Sequence, residues 1–334
     1  MLVFAIETSC DETSVCIMDK NKHIYSHIVF TQEAHKKHGG VVPELASRAH
    51  LEILQNITRA ALKESGKKIS DIDVFASTCG PGLIGPLLIG STFAKSLAIG
   101  LNKPFVPINH IESHVLSPTY NNDVEYPQVC LLLTGGHTEI YQVESKRNIN
   151  LLGETLDDAV GETFDKVGKL LGLPYPGGPE IEQRALSGNE TIFELPTPLI
   201  NEDNLNFSFS GLKTAVNHII KENSLNTEFI ADLSASFQFA VSKILIEKVK
   251  KTLKKLSDKS VNVKSLSVVG GVSNNKYISE KIKDTFQNHN IDILFPPKEM
   301  MSDNAAMIAW NCLNKNIETA SDLHFKANPR LSIK

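Results

Sequence analysis

One layout of residues occurs twice in this chain of 334 residues. An apolar run ending at Ile6 leads through a polar turn into an alternating run over residues 13–18, and residues 130–141 repeat this layout. Such a sequence is typical of a β-hairpin. Two copies predict a duplicated α/β fold whose paired turns offer backbone N–H groups and hydroxyls to the phosphates of a ligand. We therefore expect the functional site in a cleft between two lobes.

The size and charge of the chain limit the kind of protein it can be. With 41% apolar residues it can bury a large core in two domains or lobes. Its formal charge of −4 gives no global attraction for nucleic acid, so such a contact has to be local or supplied by a partner. Five cysteines without a C-x-x-C pair are typical of free thiols in a reducing compartment. Because no basic leader or membrane-length apolar run is found, we expect a cytoplasmic protein without a membrane segment.

The spacing of apolar residues predicts an alternation of helices and strands. Helices are expected over residues 44–64, 87–100, 157–171, 180–186 and 230–256 and after residues 275 and 303, and strands over 73–78, 105–108 and 265–269. Two of these strands run into glycine turns, at residues 80–86 and 270–275. Glycine there allows a ligand close to the backbone, and close backbone packing explains the first turn equally well. The Lys-rich residues 248–255 suit a solvated helix face better than a nucleic-acid contact.

His110 and His114 form the first candidate site. Four residues apart on a helix, their side chains lie on one face and are close enough to share a metal ion. With 11 histidines in the chain such a pair can arise by chance. A second pair, His23 and His27, lies in a segment typical of a strand, where four residues span roughly 13 Å and cannot converge. The helical pair is therefore the better metal candidate.

The residues around this pair leave the metal and its use open. A zinc protease needs its glutamate directly after the first histidine, whereas Glu112 is rotated about 200° from His110. Asp303 offers an oxygen ligand ahead of an Ala-rich helix, although from spacing alone an ordinary N-cap explains it better. Two histidines and one carboxylate suit Fe(II) or Zn(II), and the ligand types do not decide between them.

Three further carboxylates are candidates for chemistry or binding. Asp11 and Glu12 lie in the first turn, where a carboxylate facing phosphates would hold a cation or move a proton. Stabilisation of the turn is an equally good explanation for them. Asp165 could accept ribose hydroxyl protons, or could form a surface pair with Lys169.

Together, the short motifs of this chain are specific to one family. They are IETSCDET (residues 6–13), GGVVPE (39–44), GPGL (80–83), HIESH (110–114), GGHT (135–138), YPGGP (175–179), FSFSGLKT (207–214) and GGVS (270–273). In this order they closely resemble the bacterial TsaD family of tRNA adenosine threonylcarbamoyltransferases, once described as O-sialoglycoprotein endopeptidases. The resemblance covers residues 3 to about 330.

The resemblance implies a duplicated actin-like ATPase (ASKHA) fold with the active site between two lobes. We expect the N-terminal lobe over residues 1–108, completed by about 304–334, and the C-terminal lobe over 109–303. The implied reaction moves a threonylcarbamoyl group from threonylcarbamoyl-adenylate to N6 of adenosine 37, beside the anticodon, in tRNAs that read codons beginning with A. A glycoprotease, or an ATPase or sugar kinase of the same fold, is the alternative.

The resemblance also implies the site residues. A divalent metal, with Fe(II) favoured over Zn(II), would be held by His110, His114 and Asp303. From the residues alone, Asp11 or Glu12 could act as the base for such a reaction. The adenylate site would be formed by Leu132, Leu133, Thr134, Gly135, Gly136, Asp165, Gly178, Glu182 and Asn275. Thr134 stands where serine is common in the family, and Glu182 stands where aspartate often occurs.

The partners follow from the same resemblance. The implied complex contains tRNA, a non-catalytic paralogue (TsaB-like) and a small P-loop ATPase (TsaE-like). A separate synthase would make threonylcarbamoyl-adenylate from threonine, bicarbonate and ATP.

Overall fold

A computed structural model describes residues 1–37, 39–289 and 291–333 of the chain. The chain divides into two compact units: unit 1 comprises Met1–Asn121 and the chain from Pro296 onward, and unit 2 comprises Asn122–Phe295.

Unit 1 contains a five-stranded sheet that is covered on both faces. Its strands are β1 (Leu2–Glu7), β2 (Glu12–Asp19), β3 (Ile24–Thr31), β4 (Val74–Gly80) and β5 (Phe105–Asn109), in the spatial order β3-β2-β1-β4-β5. The first three strands are antiparallel, and β4 and β5 are parallel to β1. The described helices of this unit are α1 (Pro43–Ser65), α2 (Ile84–Gly100), α3 (His110–Leu116), α9 (Ala305–Leu313) and α10 (Ile317–Ala320).

The alternation of side chains along β1 explains why both faces of this sheet are covered. Phe4 and Ile6 belong to a buried cluster that includes side chains of α1 and α2, whereas Val3 and Ala5 belong to a cluster that includes α9. Successive strand residues point to opposite faces, so an apolar strand requires a layer on each side. The first strand is therefore buried from Val3 onward, and the turn after it is held by the core.

Unit 2 repeats this topology. Its strands are β6 (Gln128–Leu133), β7 (Thr138–Ser145), β8 (Asn148–Glu154), β9 (Ser265–Val269) and β10 (Asp292–Leu294), in the order β10-β9-β6-β7-β8. Again three antiparallel strands are followed by two strands parallel to the first. Its described helices are α4 (Val160–Leu170), α5 (Gly177–Ala185), α6 (Ser210–Glu222), α7 (Thr227–Asp258) and α8 (Lys276–Phe286). The duplication predicted from the two hairpins is confirmed.

Helix α7 is the one described helix that is long and apolar enough to cross a membrane by length and composition. Most of its apolar segment is buried inside unit 2, as in the core helix of a folded domain. The expected solvated Lys face holds for Lys250 and Lys254, which are exposed, but is wrong for Lys248. The Lys248 side chain is buried and donates to the carbonyls of Leu199 and Asn204, at 2.8 and 2.9 Å, and Lys251 donates to Ile200 and Glu202. These lysines hold a loop in place.

The boundaries of the two units differ from those of the expected lobes at both points where the chain passes from one unit to the other. Residues 109–121 and 296–303 belong to unit 1, because α3 packs on β5 and α9 and the segment before α9 packs on that helix. Lys334, the last residue of the expected C-terminal segment, lies outside the described residues. All three proposed metal ligands thus fall within one unit.

Candidate active site

The chain turns from strand to helix at the histidine pair. Helix α3 starts directly after β5, with the Oδ1 atom of Asn109 accepting from the Glu112 N–H at 3.0 Å. His110 is the first residue of the helix, and His114 follows one turn later. Their ring centroids are 4.8 Å apart and both side chains are buried. The predicted helical face for the pair is confirmed.

Asp303 joins the two histidines. Its Oδ1 atom lies 3.0 Å from Nε2 of His114 and 3.5 Å from Nε2 of His110, and the three ligand atoms lie within 4.8 Å of one another. The N-cap explanation for Asp303 is wrong, since the cap of α9 is Asn304, whose Oδ1 accepts from the N–H groups of Ala306 and Met307. The Asp303 carboxylate is therefore not used for capping and faces the imidazoles.

Glu112 points to a different partner. Its carboxylate oxygens lie 2.8 and 2.9 Å from Nζ of Lys315. This ion pair holds the carboxylate away from the ligand atoms, as its position on the helix predicts. The arrangement of a zinc protease, with a glutamate beside the metal, is absent from the described residues around α3.

A second carboxylate, Glu7, positions His110 by contacting Nδ1, the ring nitrogen that does not face Asp303. Its Oε2 atom lies 3.1 Å from Nδ1 of His110, and the same carboxylate accepts hydrogen bonds from the Thr78 hydroxyl and the Ser9 N–H. The Ser9 hydroxyl also lies 3.3 Å from Nδ1 of His110. Because Nδ1 is bound in this way, Nε2 is left for a ligand on the Asp303 side. A carboxylate behind a histidine ligand is the usual outer support of a metal site.

The charges of the cluster suit a cation. Burial alone would lower the pKa of His110, but Asp303 and Glu7 raise that pKa well above its usual value of 6.5. His110 in turn outweighs burial and holds the pKa of Glu7 low and that of Asp303 well below its usual range. Burial lowers the pKa of His114, which favours the neutral imidazole that a metal requires. The two ionised carboxylates offset positive charge, so a divalent metal could take the place of the proton that His110 holds in the metal-free chain.

The first turn is anchored by a histidine of α1. Nε2 of His50 lies 2.9 Å from the Cys10 carbonyl oxygen, and its Nδ1 lies 2.8 Å from the Thr13 hydroxyl. Asp11 and Glu12 lie between these two anchor points. Burial, followed by the charges of Asp11 and Asp303, raises the pKa of Glu12 well above its usual range. Glu12 therefore binds a proton more strongly than an ordinary carboxylate.

In unit 2, Thr134 organises the second turn. Its hydroxyl accepts from the N–H groups of Gly136 and His137, at 3.3 and 2.9 Å. The Gly161 N–H donates to the Thr134 carbonyl, and a Cβ on Gly161 would lie 2.8 Å from Cα of Gly135. Leu132 and Leu133 are buried in β6 just before this turn. The turn therefore exposes Gly135 and Gly136 close to the start of α4.

The other predicted adenylate residues of unit 2 lie at the starts of α5 and α8 or contact those starts. Oδ1 of Asp165 accepts from the N–H of Gly177 at 2.7 Å, so it fixes the start of α5, where Gly178 follows. Oε1 of Glu182 accepts from the Lys276 N–H at 2.7 Å. Asn275 caps α8 through Oδ1 and donates from Nδ2 to Oε1 of Gln238 at 2.7 Å. Gly178 and Asn275 thus lie at helix starts, where backbone N–H groups favour anions, and the carboxylates of Asp165 and Glu182 accept from N–H groups at those starts.

Comparison with known proteins decides the family. A profile of TsaD, tRNA N6-adenosine threonylcarbamoyltransferase, matches residues 23–310. The enzyme of that name from Wolbachia pipientis wMel is 40% identical over 329 residues, covering 98% of this chain and 97% of its own length. The one from Rickettsia massiliae (strain Mtu5) is 42% identical over 336 residues, covering 99% and 98%.

The chain belongs to the TsaD family.

The fold of this TsaD chain also resembles solved structures. Component A of (R)-2-hydroxyglutaryl-CoA dehydratase from Acidaminococcus fermentans aligns with a TM-score of 0.54 at 13% identity, covering 94% of this chain and 100% of that protein. At this identity the likeness concerns the fold alone. It confirms the duplicated actin-like ATPase fold expected from the sequence.

Sequence reasoning missed three residues that support the TsaD site. They are Glu7 behind His110, Asn109 at the cap of α3, and His50 at the first turn. Glu7 carried a signal, since it is a charged residue at the end of an otherwise apolar strand. His50 carried none, because one histidine on an amphipathic helix has no recognisable partner in sequence.

Proposed function

We propose that this chain transfers the threonylcarbamoyl group of threonylcarbamoyl-adenylate to N6 of adenosine 37 in tRNAs that read codons beginning with A. The family membership supports the reaction. The convergence of His110, His114 and Asp303 is the observation that carries the proposal, because it brings residues distant in sequence to one point. No observation favours the glycoprotease or kinase alternatives.

The three ligands would hold one divalent metal, with Fe(II) favoured and Zn(II) as the alternative. At this site a bound ion would supply Lewis-acid chemistry for an acyl-phosphate donor. Glu7 would keep the imidazole of His110 in the ligand tautomer through its contact at Nδ1. Asp303 supplies the hard oxygen ligand that completes a two-histidine, one-carboxylate set.

The adenylate would bind in unit 2 along the turn and helix starts described above. Leu132, Leu133 and Thr134 position the exposed Gly135 and Gly136, whose N–H groups would face the phosphate. Asp165, Gly178, Glu182 and Asn275 would form the nucleoside side of this pocket. The side-chain oxygens of Asp165 and Glu182 already accept backbone N–H groups, so a ribose hydroxyl would share these carboxylates.

The acceptor amine needs help because its lone pair is delocalised into the adenine ring. In the transfer, a bond forms between N6 and the carbamoyl carbon, the bond from that carbon to the phosphate oxygen breaks, and AMP leaves. The proton lost from N6 would pass to Asp11 or Glu12 as base. Most of the rate acceleration would come from holding the N6 amine and the carbamoyl carbon in the reactive geometry.

The partners of the reaction extend beyond this chain. We assign tRNA binding to a complex with a TsaB-like paralogue and a TsaE-like P-loop ATPase in the cytoplasm, with the adenylate made by a separate synthase. A groove of about 560 Å³ between α1 and α2 offers an apolar surface for the paralogue. Leu51 and Leu88 line it and are 71% and 49% exposed. The charge of −4 fits an enzyme that shares its RNA contacts.

A reconstituted transfer reaction tests the proposal. Unmodified tRNA is incubated with synthetic threonylcarbamoyl-adenylate, both partners, and wild-type, His110→Ala or Glu112→Gln protein, and its nucleosides are analysed by mass spectrometry. Wild type and Glu112→Gln should form threonylcarbamoyladenosine, whereas His110→Ala should not. No product from wild type with active partners would refute the function. Wild-type yield from metal-stripped His110→Ala would refute the ligand assignment alone.

A further inference from the structure

The last described part of the chain runs back along β5. The Asp322 N–H donates to the Phe105 carbonyl at the start of β5 at 2.9 Å, and Lys95 donates from Nζ to the Phe325 carbonyl. The Asn328 N–H then donates to the Cys79 carbonyl at 2.8 Å. These contacts use main-chain atoms of residues 322–328, which we call the tail together with residues 329–333. Backbone hydrogen bonds, and not exposed side chains, therefore fix the path of the tail. The tail therefore reaches the end of β5, where α3, the helix that carries His110 and His114, begins.

A first route connects the tail to His110 through the glycine turn after β4. The Gly82 N–H donates to the Pro329 carbonyl at 3.2 Å. A Cβ on Gly82 would lie 2.6 Å from the Ser9 carbonyl oxygen, to which the Leu83 N–H donates at 2.8 Å. The Ser9 hydroxyl in turn lies 3.3 Å from Nδ1 of His110. The tail thus supports the turn that packs behind this histidine.

A second route passes through Asn109. Its Nδ2 donates to the Leu331 carbonyl at 3.1 Å, while its Oδ1 caps α3 by accepting from the Glu112 N–H. One amide therefore connects the tail and the first turn of the helix that carries both histidines. A serine at this position would keep a capping oxygen, but it is too short to keep both contacts.

We propose that residues 328–331 are a positioning element of the metal centre, acting on His110 through Asn109 and through the turn at residues 80–83. The proposal rests on the metal role assigned to His110, His114 and Asp303. Outer contacts that orient ligands typically contribute about 10–100-fold to metal affinity. Since the tail acts one contact further out, we expect an effect of about tenfold, the lower end of that range.

The test is a truncation with a matched control. A chain ending at Ala327 loses all contacts of residues 328–331, whereas a chain ending at Ser332 keeps them. Zn²⁺ affinity is measured by competition with a chromogenic chelator on metal-free protein whose fold is checked by circular dichroism. The chain ending at Ala327 should bind Zn²⁺ about tenfold more weakly than the full chain. The chain ending at Ser332 should match the full chain.

Asn109→Ser distinguishes positioning from general loss of stability. In the full chain this variant should weaken Zn²⁺ binding, and in the chain ending at Ala327 it should add little, because its partner is already gone. Equal Zn²⁺ affinity of the full chain and the chain ending at Ala327 would overturn the proposal, as would fully additive effects of the two changes. If the wild-type chain bound no Zn²⁺, the metal assignment would fail first, and the proposal with it.

Discussion

Glu7 connects the proposed metal ligands to the interior of unit 1. It is completely buried at the end of β1 and is surrounded by donors from Thr78, Ser9 and His110. A buried carboxylate is costly unless it is paired and hydrogen-bonded, and here it is both. The orientation of His110 therefore depends on a residue outside the proposed ligand set.

Glu7→Gln should weaken Zn²⁺ binding by about 10–100-fold, because the neutral amide no longer stabilises the Nδ1–H group of His110 as a carboxylate does. Chelator competition on the metal-free protein measures this affinity. Glu44→Gln is the control, since Glu44 forms an exposed pair with Arg48 and should leave the affinity unchanged. An unaltered affinity in Glu7→Gln would show that Glu7 does not support the ligand.

The metal-free chain should lose stability as the pH rises above 6.5. The pKa of His110 is raised by Asp303 and Glu7 against the effect of burial, so the folded state keeps a proton that the unfolded state releases near pH 6.5. Its contribution is therefore complete below pH 6.5 and is lost towards the folded pKa, by at most about 1.4 kcal/mol per pH unit. Urea unfolding of wild type and His110→Gln measures the difference. Parallel pH profiles would contradict the assigned charge.

At the scale of secondary-structure elements, the two adjacent glycines at the start of α5 differ in the space around them. A Cβ on Gly177 would lie 2.6 Å from the Phe164 carbonyl oxygen of α4, whereas a Cβ on Gly178 would lie 4.0 Å from the nearest atom, the Phe164 Cβ. The first glycine lets the two helices approach each other. The second leaves space for a ligand.

Gly177→Ala should therefore destabilise the protein by about 1–3 kcal/mol through overpacking. Gly178→Ala should stay within about 0.5 kcal/mol of wild type but bind a non-reactive adenylate analogue more weakly. Urea unfolding and calorimetric titration separate the two effects. Unchanged analogue affinity in Gly178→Ala would remove this residue from the proposed pocket.

The elements differ in how far their sequence determined them. The two hairpins and the histidine pair were predictable because each depends on spacing within a short segment. The role of Asp303 was not predictable from spacing, since the packing of α9 beside α3 brings it to the histidines. The buried contacts of Lys248 were missed for the same reason, because a loop from a distant segment covers a Lys-rich helix face.

At the scale of the whole molecule, the exposed groove between α1 and α2 should bind the paralogue. Leu51→Glu with Leu88→Glu should reduce binding at least about tenfold, because burying two carboxylates against an apolar surface is unfavourable. Leu186→Glu, at a leucine of unit 2 that is 76% exposed, is the control. Calorimetry with the purified TsaB-like protein measures the affinity. Equal binding by the double variant and the control would place the interface elsewhere.

We propose that transfer depends on a metal held by His110, His114 and Asp303. The most direct measurement is the yield of threonylcarbamoyladenosine from chelator-stripped wild-type protein before and after Fe(II) or Zn(II) is added back, with Asp303→Ala treated in parallel. We expect loss of product when the metal is stripped, recovery on metal addition for wild type, and no recovery for Asp303→Ala. Undiminished product from the stripped wild-type protein would contradict this proposal.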